Sequence, residues 1–388
     1  MMSMSRSKES ILIKVKPEVL QWAIRNSGWK IEDLAEKLLV SETTLQSWMK
    51  GADSPTLDQL EHTSKVLRRP LAAFFLSKPP DEAPTPPDYR MLAGRVGEFR
   101  TKTLLALRKA RRYQRICREL LLDTDGSTEP SVSTVTLDSD ALAVARAQRK
   151  EVQLTDNLQR EWKDSYEAFR ELRRRLESKN IFVFQMAMPI EDARGFVLVD
   201  ERPVVIVVNS SDSIEARNFT LAHEYGHVLL NQSNIDMAGA IPKGGRISNP
   251  AERWCNQFAS EFLLPVEVLK TELKSCNEDP SSYACTTRIS RRYKVSKMML
   301  LYRLLDVGAI DRARCSEVIE RLESSSKGSR KGGSQLPQEE RCIREKEDKY
   351  VSLVSRNIEL GNIGYHDAID YLSVNLKNLD KTLAKAER

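Results

Sequence analysis

Two of the four histidines in this 388-residue chain fall in one short apolar stretch, "FTLAHEYGHVLLN" at 219–231, with Glu224 between them. On a helix, residues four apart project from one face, so the imidazoles of His223 and His227 can reach a single cation, while Glu224 lies about 100° round the axis. This is the HExxH arrangement. The chemistry it suits is a zinc ion, one per chain, that acidifies water beside a carboxylate acting as general base, here Glu224. A catalytic zinc also needs a third protein ligand and an open fourth position. Downstream the chain reads "NPAERWCNQFASEFLLP", where Pro250 favours a helix start and Glu252 and Asn256 share a face at i, i+4 spacing. Glu252 is the expected third ligand. Asn256 is the expected supporting group, its side-chain oxygen accepting the free ring N–H of a ligating histidine and so fixing the tautomer. Glu261 is the alternative ligand, but its neighbours Phe262, Leu263 and Leu264 favour packing or an ion pair.

Several elements must hold these groups in place. Phe219, Leu221, Ala222, Val228, Leu229 and Leu230 make the histidine helix apolar nearly all round, which assigns it to the core, and Gly226 permits another backbone to come close. Before it come a helical pattern at 157–178 and three short strand candidates rich in β-branched residues, "NIFVFQM", "RGFVLVD" and "PVVIVVN". The last has two open roles: an edge on which an extended peptide could add as a strand, or a plain core strand. For the group that stabilises an oxyanion, Tyr302 and Arg303 are polar enough, with ordinary surface roles as the competing reading.

By composition the chain falls into five parts. Residues 10–78 read as a run of short helices. Residues 79–137 hold the proline-rich connector "KPPDEAPTPPDYR", a basic helix with Arg108, Lys109, Arg111, Arg112, Arg115 and Arg118, and a polar loop. Those six cations suit either phosphate contacts or a solvated face. Residues 138–312 form the second compact region, 323–345 a Ser-, Gly- and Lys-rich linker, and 346–388 a helical tail. The expected fold class is α+β and mainly helical, with a small β-sheet packed on the HExxH helix. The six cysteines contain no CxxC pair, which argues against a thiolate zinc knuckle or a disulfide framework and for reduced thiols. No apolar run is long enough to cross a bilayer, so a cytoplasmic protein without a membrane partner is expected; the oligomeric state is left open. A net charge of +6 permits nucleic acid as a partner without requiring it.

The N-terminal part carries a second motif. In "KIEDLAEKLLVSETTLQSWMKGADSP" one helix ends near Leu38, a tight connection runs through Leu39 and Val40, and a second helix starts at Ser41. It resembles the Xre/Cro-type helix-turn-helix, a five-helix domain, with Leu34, Ala35, Leu38, Val40, Leu45 and Trp48 as core. If it binds DNA, the recognition helix offers Ser41, Glu42, Thr43, Thr44, Gln46, Ser47 and Lys50, and Gln46 is best suited to an adenine edge. With one lysine and Glu42 on that helix, protein contact is the competing use.

The stretches "NSSDSIEARNFTLAHEYGHVLLN" and "ERWCNQFASEFLLP" together resemble the ImmA/IrrE family of zinc metallo-endopeptidases, with a similarity to its closing helical unit at 288–310. Cys255 stands where that family usually has alanine; a small buried residue is the expected role. The resemblance implies a zincin-like peptidase fold and hydrolysis of one particular protein, in this family's manner a transcriptional repressor or an antitoxin. The alternative is a helix-turn-helix regulator whose zinc domain is non-proteolytic, serving as a sensor or protein-interaction module.

Overall fold

The computed structural model describes residues 11–80, 100–124, 126–236, 249–276, 278–326 and 336–386. Most of the proline-rich connector and the core of the Ser/Gly/Lys-rich linker lie outside the described residues. The chain divides into two compact units, parted between Leu107 and Arg108.

In the first unit, α1 (Pro17–Arg25), α2 (Ile31–Leu38), α3 (Glu42–Lys50) and α4 (Leu57–Leu67) precede a 3-10 turn at Leu71–Phe75. Local chemistry places their ends. The Ser41 hydroxyl accepts the Thr44 amide at 3.0 Å to start α3, and Thr56 and Gln59 form a reciprocal capping box on α4. Leu34, Ala35, Leu38, Leu45 and Trp48 are buried in one core with Val40 packed against it. The turn between α2 and α3 is made by Leu39 in the left-handed region, φ 58°, with 87% of its surface exposed.

The second unit takes up α5 (Thr101–Leu122) from Arg108 onward. There follow α6 (Ala141–Glu151), α7 (Asp156–Glu161), α8 (Ser165–Glu177), β1 (Phe182–Met186), β2 (Gly195–Leu198), β3 (Val205–Asn209), α9 (Ile214–Leu229), β4 (Asn234–Asp236) and α10 (Pro250–Leu263). Then come α11 (Val266–Lys274), α12 (Tyr283–Tyr293), α13 (Lys297–Asp306), α14 (Arg312–Ser326), α15 (Gln338–Glu359), α16 (Tyr365–Leu372) and α17 (Leu376–Ala386). The helix expected across 157–178 is two helices, because the Asp164 carboxylate accepts the Tyr166 and Glu167 amides, each at 2.9 Å, and starts α8 afresh.

The sheet has four strands in the order β1-β3-β2-β4, with β1 and β3 parallel and the other pairs antiparallel. "PVVIVVN" is therefore not an edge. Its strand β3 is paired on both sides and every residue of it is buried, which leaves no backbone free for an added peptide. The fourth strand, three residues long, has too little alternation to stand out in the sequence. Ile181, Val183, Val197, Val199, Ile206 and Val208 join the core that contains α8, α9 and α10. The opposite face carries Phe184, whose ring lies 4.9 Å from that of Tyr113 on α5 and 5.5 Å from that of Tyr350 on α15.

Three of the six cations of the basic helix are engaged within the fold, while Arg115 and Arg118 are exposed. Lys109 pairs with Glu345 at 2.6 Å, Arg111 reaches both oxygens of Asp200, and Arg112 pairs with Asp370. Gln114, further along the same helix and buried, donates to the carbonyls of Glu201 (2.9 Å) and Pro203 (3.0 Å).

A candidate metal centre

Helix α9 begins at Ser213, whose hydroxyl accepts the Ala216 amide at 3.3 Å, and from Thr220 to Leu229 every residue is buried. A helix sunk this deeply must meet its neighbours at positions without bulk, and two glycines provide them. On β2, a Cβ at Gly195 would lie 2.5 Å from Thr220 Cγ2, 2.9 Å from the Val207 carbonyl and 3.2 Å from Glu224 Oε1. On α9 itself, a Cβ at Gly226 would lie 3.1 Å from Cys255 Sγ and 3.3 Å from Phe258 Cδ1 of α10. Cys255 is thus a small buried residue facing a glycine. Helix α10 starts as its residues dictate: Asn249 accepts the Ala251 amide at 2.9 Å and Pro250 occupies the first turn.

This packing brings His223, His227 and Glu252 together; among the described residues they form the cluster of His, Cys, Asp or Glu able to hold a metal ion. The two Nε2 atoms lie 3.2 Å apart. His223 Nε2 is 3.3 Å from Glu252 Oε2, and His227 Nε2 is 3.3 Å from Glu252 Oε1. These spacings can be compared with a metal polyhedron. A tetrahedral zinc with ligand distances of about 2.0–2.1 Å has ligand atoms about 3.3 Å apart, so the observed separations match its edges. Asn256 Oδ1 lies 3.0 Å from His223 Nδ1, which places the ring proton on Nδ1 and turns the Nε2 lone pair toward the cluster. Burial, helped by the neighbouring His223, keeps His227 below its ordinary pKa against the opposing pull of Glu252. Burial would raise the Glu252 carboxyl, but its hydrogen bonds with the two histidines outweigh that and hold it well below the usual carboxylate range. Two buried imidazoles and a half-buried carboxylate are a donor set that fits zinc.

The other candidates lie elsewhere. Glu261 is fully buried and takes an ion pair from Arg303, a second from Arg146 at 3.1 Å, and the Val266 amide at 3.1 Å. It ties α10 to α6 and α13 and is not part of the metal cluster. Arg303, committed to Glu261 and the Leu264 carbonyl, is not placed to serve an oxyanion. In α3, Glu42, Thr43, Gln46 and Lys50 are exposed, Thr44 and Ser47 half-buried, and Ser41 engaged as the cap.

Residues 176–305 match the peptidase M78 family model, described as the IrrE N-terminal-like domain, and residues 20–74 match a helix-turn-helix model. The chain carries a domain similar to the IrrE N-terminal-like domain. It is similar to the radiation response metalloprotease IrrE of Deinococcus radiodurans, 32% identical over 105 residues that make up 26% of this chain and 31% of that protein. The IrrE of Deinococcus deserti is 31% identical over 105 residues, 26% of this chain and 36% of that one. The match thus spans about a third of each relative. The IrrE-like domain contains the whole cluster, and the helix-turn-helix match covers all of α2 to α4. No helix among the described residues is long and apolar enough to cross a membrane.

Proposed function

We propose that this chain is a DNA-binding regulator whose IrrE-like domain is a zinc endopeptidase acting on a specific protein, a transcriptional repressor or an antitoxin. The observation that carries the reading is the 3.2–3.3 Å spacing of His223, His227 and Glu252 beside a second, buried carboxylate, Glu224. Zinc bound by the three ligands would supply a Lewis acid that acidifies water and polarises a peptide carbonyl. Glu224 takes the water proton on a carboxylate oxygen and hands it to the departing amine. Its carboxylate lies against β2, where the absence of a side chain on Gly195 leaves room for it. Asn256 holds the His223 ring in the tautomer that presents Nε2. The exposed side chains of α3, with Gln46 foremost, would read DNA while the other domain cuts the partner protein.

Glu224→Gln tests the reading, because the amide keeps the shape and loses the base. The variant should retain about one zinc per chain by elemental analysis, since Glu224 is not a ligand. Labelling of new protein N-termini in cells that express wild type should reveal one or a few sites that the variant does not produce. Identical sets of termini would overturn the peptidase reading, and full metal content in Glu252→Ala would remove Glu252 as a ligand.

A further inference from the structure

A second group of reactive side chains gathers at the joint between α11 and α12. Cys276 follows the last turn of α11, its amide donating to the Leu273 carbonyl at 3.0 Å. Cys285 lies in the first turn of α12, its amide donating to Ser282 Oγ at 3.1 Å. Arg288, one turn further along α12 and so on the Cys285 face, reaches back to the end of α11: Nη2 donates to the Glu272 carbonyl at 3.2 Å and Nη1 to Ser275 Oγ at 3.4 Å. The guanidinium therefore stands at the end of α11 beside Cys276, Cys276 packs against the core cluster that contains Cys285, and the two thiols and Arg288 are close enough to interact electrostatically. Exposure separates the two thiols. Cys276 is half-exposed, whereas Cys285 is buried, as are Cys117, Cys255, Cys315 and Cys342.

We propose that Cys276 and Cys285 form a peroxide-reactive thiol pair, with Cys276 as the attacking sulfur, Cys285 as the resolving one and Arg288 as the group that positions the thiolate. The hydrogen bond from Cys285, followed by the Glu278 amide and Arg288, holds the Cys276 thiol below its ordinary pKa, while burial pushes Cys285 up to about 12. Cys276 is thus the more acidic thiol, the one that reacts as thiolate, and Cys285 the proton donor. The Cys276 thiolate attacks one oxygen of hydrogen peroxide, the O–O bond breaks, and hydroxide leaves, giving a sulfenic acid. The Cys285 sulfur then attacks the Cys276 sulfur, the S–O bond breaks, and the thiol proton leaves with the hydroxide as water. In sum two thiols are oxidised to one disulfide and one peroxide is reduced to two waters. The product ties the end of α11 to the start of α12, at a joint that Tyr293 already closes from the far end of α12 by donating to Glu272 at 2.9 Å.

The test uses the full reduced chain, treated with hydrogen peroxide, alkylated, digested and analysed by mass spectrometry. The expected product is a cross-linked Cys276–Cys285 peptide pair, lighter by two hydrogens than the reduced peptides, formed while the four other cysteines remain reduced. Cys285→Ser should leave a sulfenic acid on Cys276 that a cyclic diketone captures. Arg288→Gln should slow alkylation of Cys276 at neutral pH by about tenfold and move the midpoint of its pH profile upward. The proposal fails if peroxide gives no cross-link in wild type. It also fails if Cys276 alkylates no faster than an ordinary exposed thiol, or if Arg288→Gln leaves its rate unchanged.

Discussion

Gly226→Ala should loosen the metal cluster without touching any member of it. The added Cβ would sit 3.1 Å from Cys255 Sγ and 3.3 Å from both Cys255 Cβ and Phe258 Cδ1, whereas carbon atoms rest about 3.5–4.0 Å apart. Neither neighbour can step aside. Both are fully buried, and the Phe258 ring is stacked between Trp254 at 5.5 Å and Phe262 at 5.6 Å. The helices must part by a few tenths of an ångström, which as overpacking costs about 1–3 kcal/mol, offset by about 1 kcal/mol for alanine over glycine inside a helix. The net loss of stability is therefore modest, roughly 0–2 kcal/mol. The effect on metal should be larger. Glu252 stands one turn before Cys255 on α10, so parting the helices moves its carboxylate away from the histidines, and zinc sites tolerate only about 0.2 Å in ligand distance. A loss of tenfold or more in zinc affinity is expected, about the size seen when supporting groups of a metal site are disturbed. Competition with a chelating dye measures it, with thermal unfolding run in parallel. Cys255→Ala in the same chain removes the nearest contact and should restore most of the affinity. Wild-type zinc affinity in Gly226→Ala, or no recovery in the double variant, would refute the helix-spacing argument.

Gly195→Ala should be the harsher change, about 2–4 kcal/mol by melting, because one of the atoms in its way is the Val207 carbonyl, which cannot yield. Stability should also fall with rising pH through the buried group where Arg173 faces Glu177, Glu347 and Asp348, with Lys349 close by. Burial pushes Glu177 up to about 8 and Glu347 up to about 7. Both thus bind protons more tightly folded than unfolded, so their contribution is complete below about pH 4 and is lost as pH climbs to about 8. Lys349, which burial lowers to about 8, acts oppositely from there up to about pH 10, so the melting temperature should pass through a minimum near pH 8 that Glu177→Gln makes shallower. A flat profile would refute the assignment. On DNA, a fragment from upstream of the protein's own gene should bind with strong salt dependence, and Gln46→Ala should cost about 1–3 kcal/mol of sequence preference by fluorescence anisotropy. Absence of binding at low salt would transfer the helix-turn-helix to protein contact.

What the sequence determined by itself was whatever depends on a few neighbouring residues. Two histidines at helical spacing share a face wherever the helix lies, and Ser41, Ser213 and Asn249 start their helices through bonds spanning two or three residues. The three strands "NIFVFQM", "RGFVLVD" and "PVVIVVN" were legible for the same reason, and so was the helix-turn-helix core. The tertiary structure decided everything that turns on partners distant in the chain. Strand β3 became central because β1 and β2 both pair with it, an outcome its own residues do not encode. Three cations of α5, Lys109, Arg111 and Arg112, pair with Glu345, Asp200 and Asp370, far along the chain, and Glu261 and Arg303 found each other across the fold. The distance from Glu252 to the two histidines belongs to this second class, since it rests on how closely α10 can approach α9 at Gly226. Residue spacing specifies a face; only packing between faces specifies a distance, and metal chemistry depends on distance.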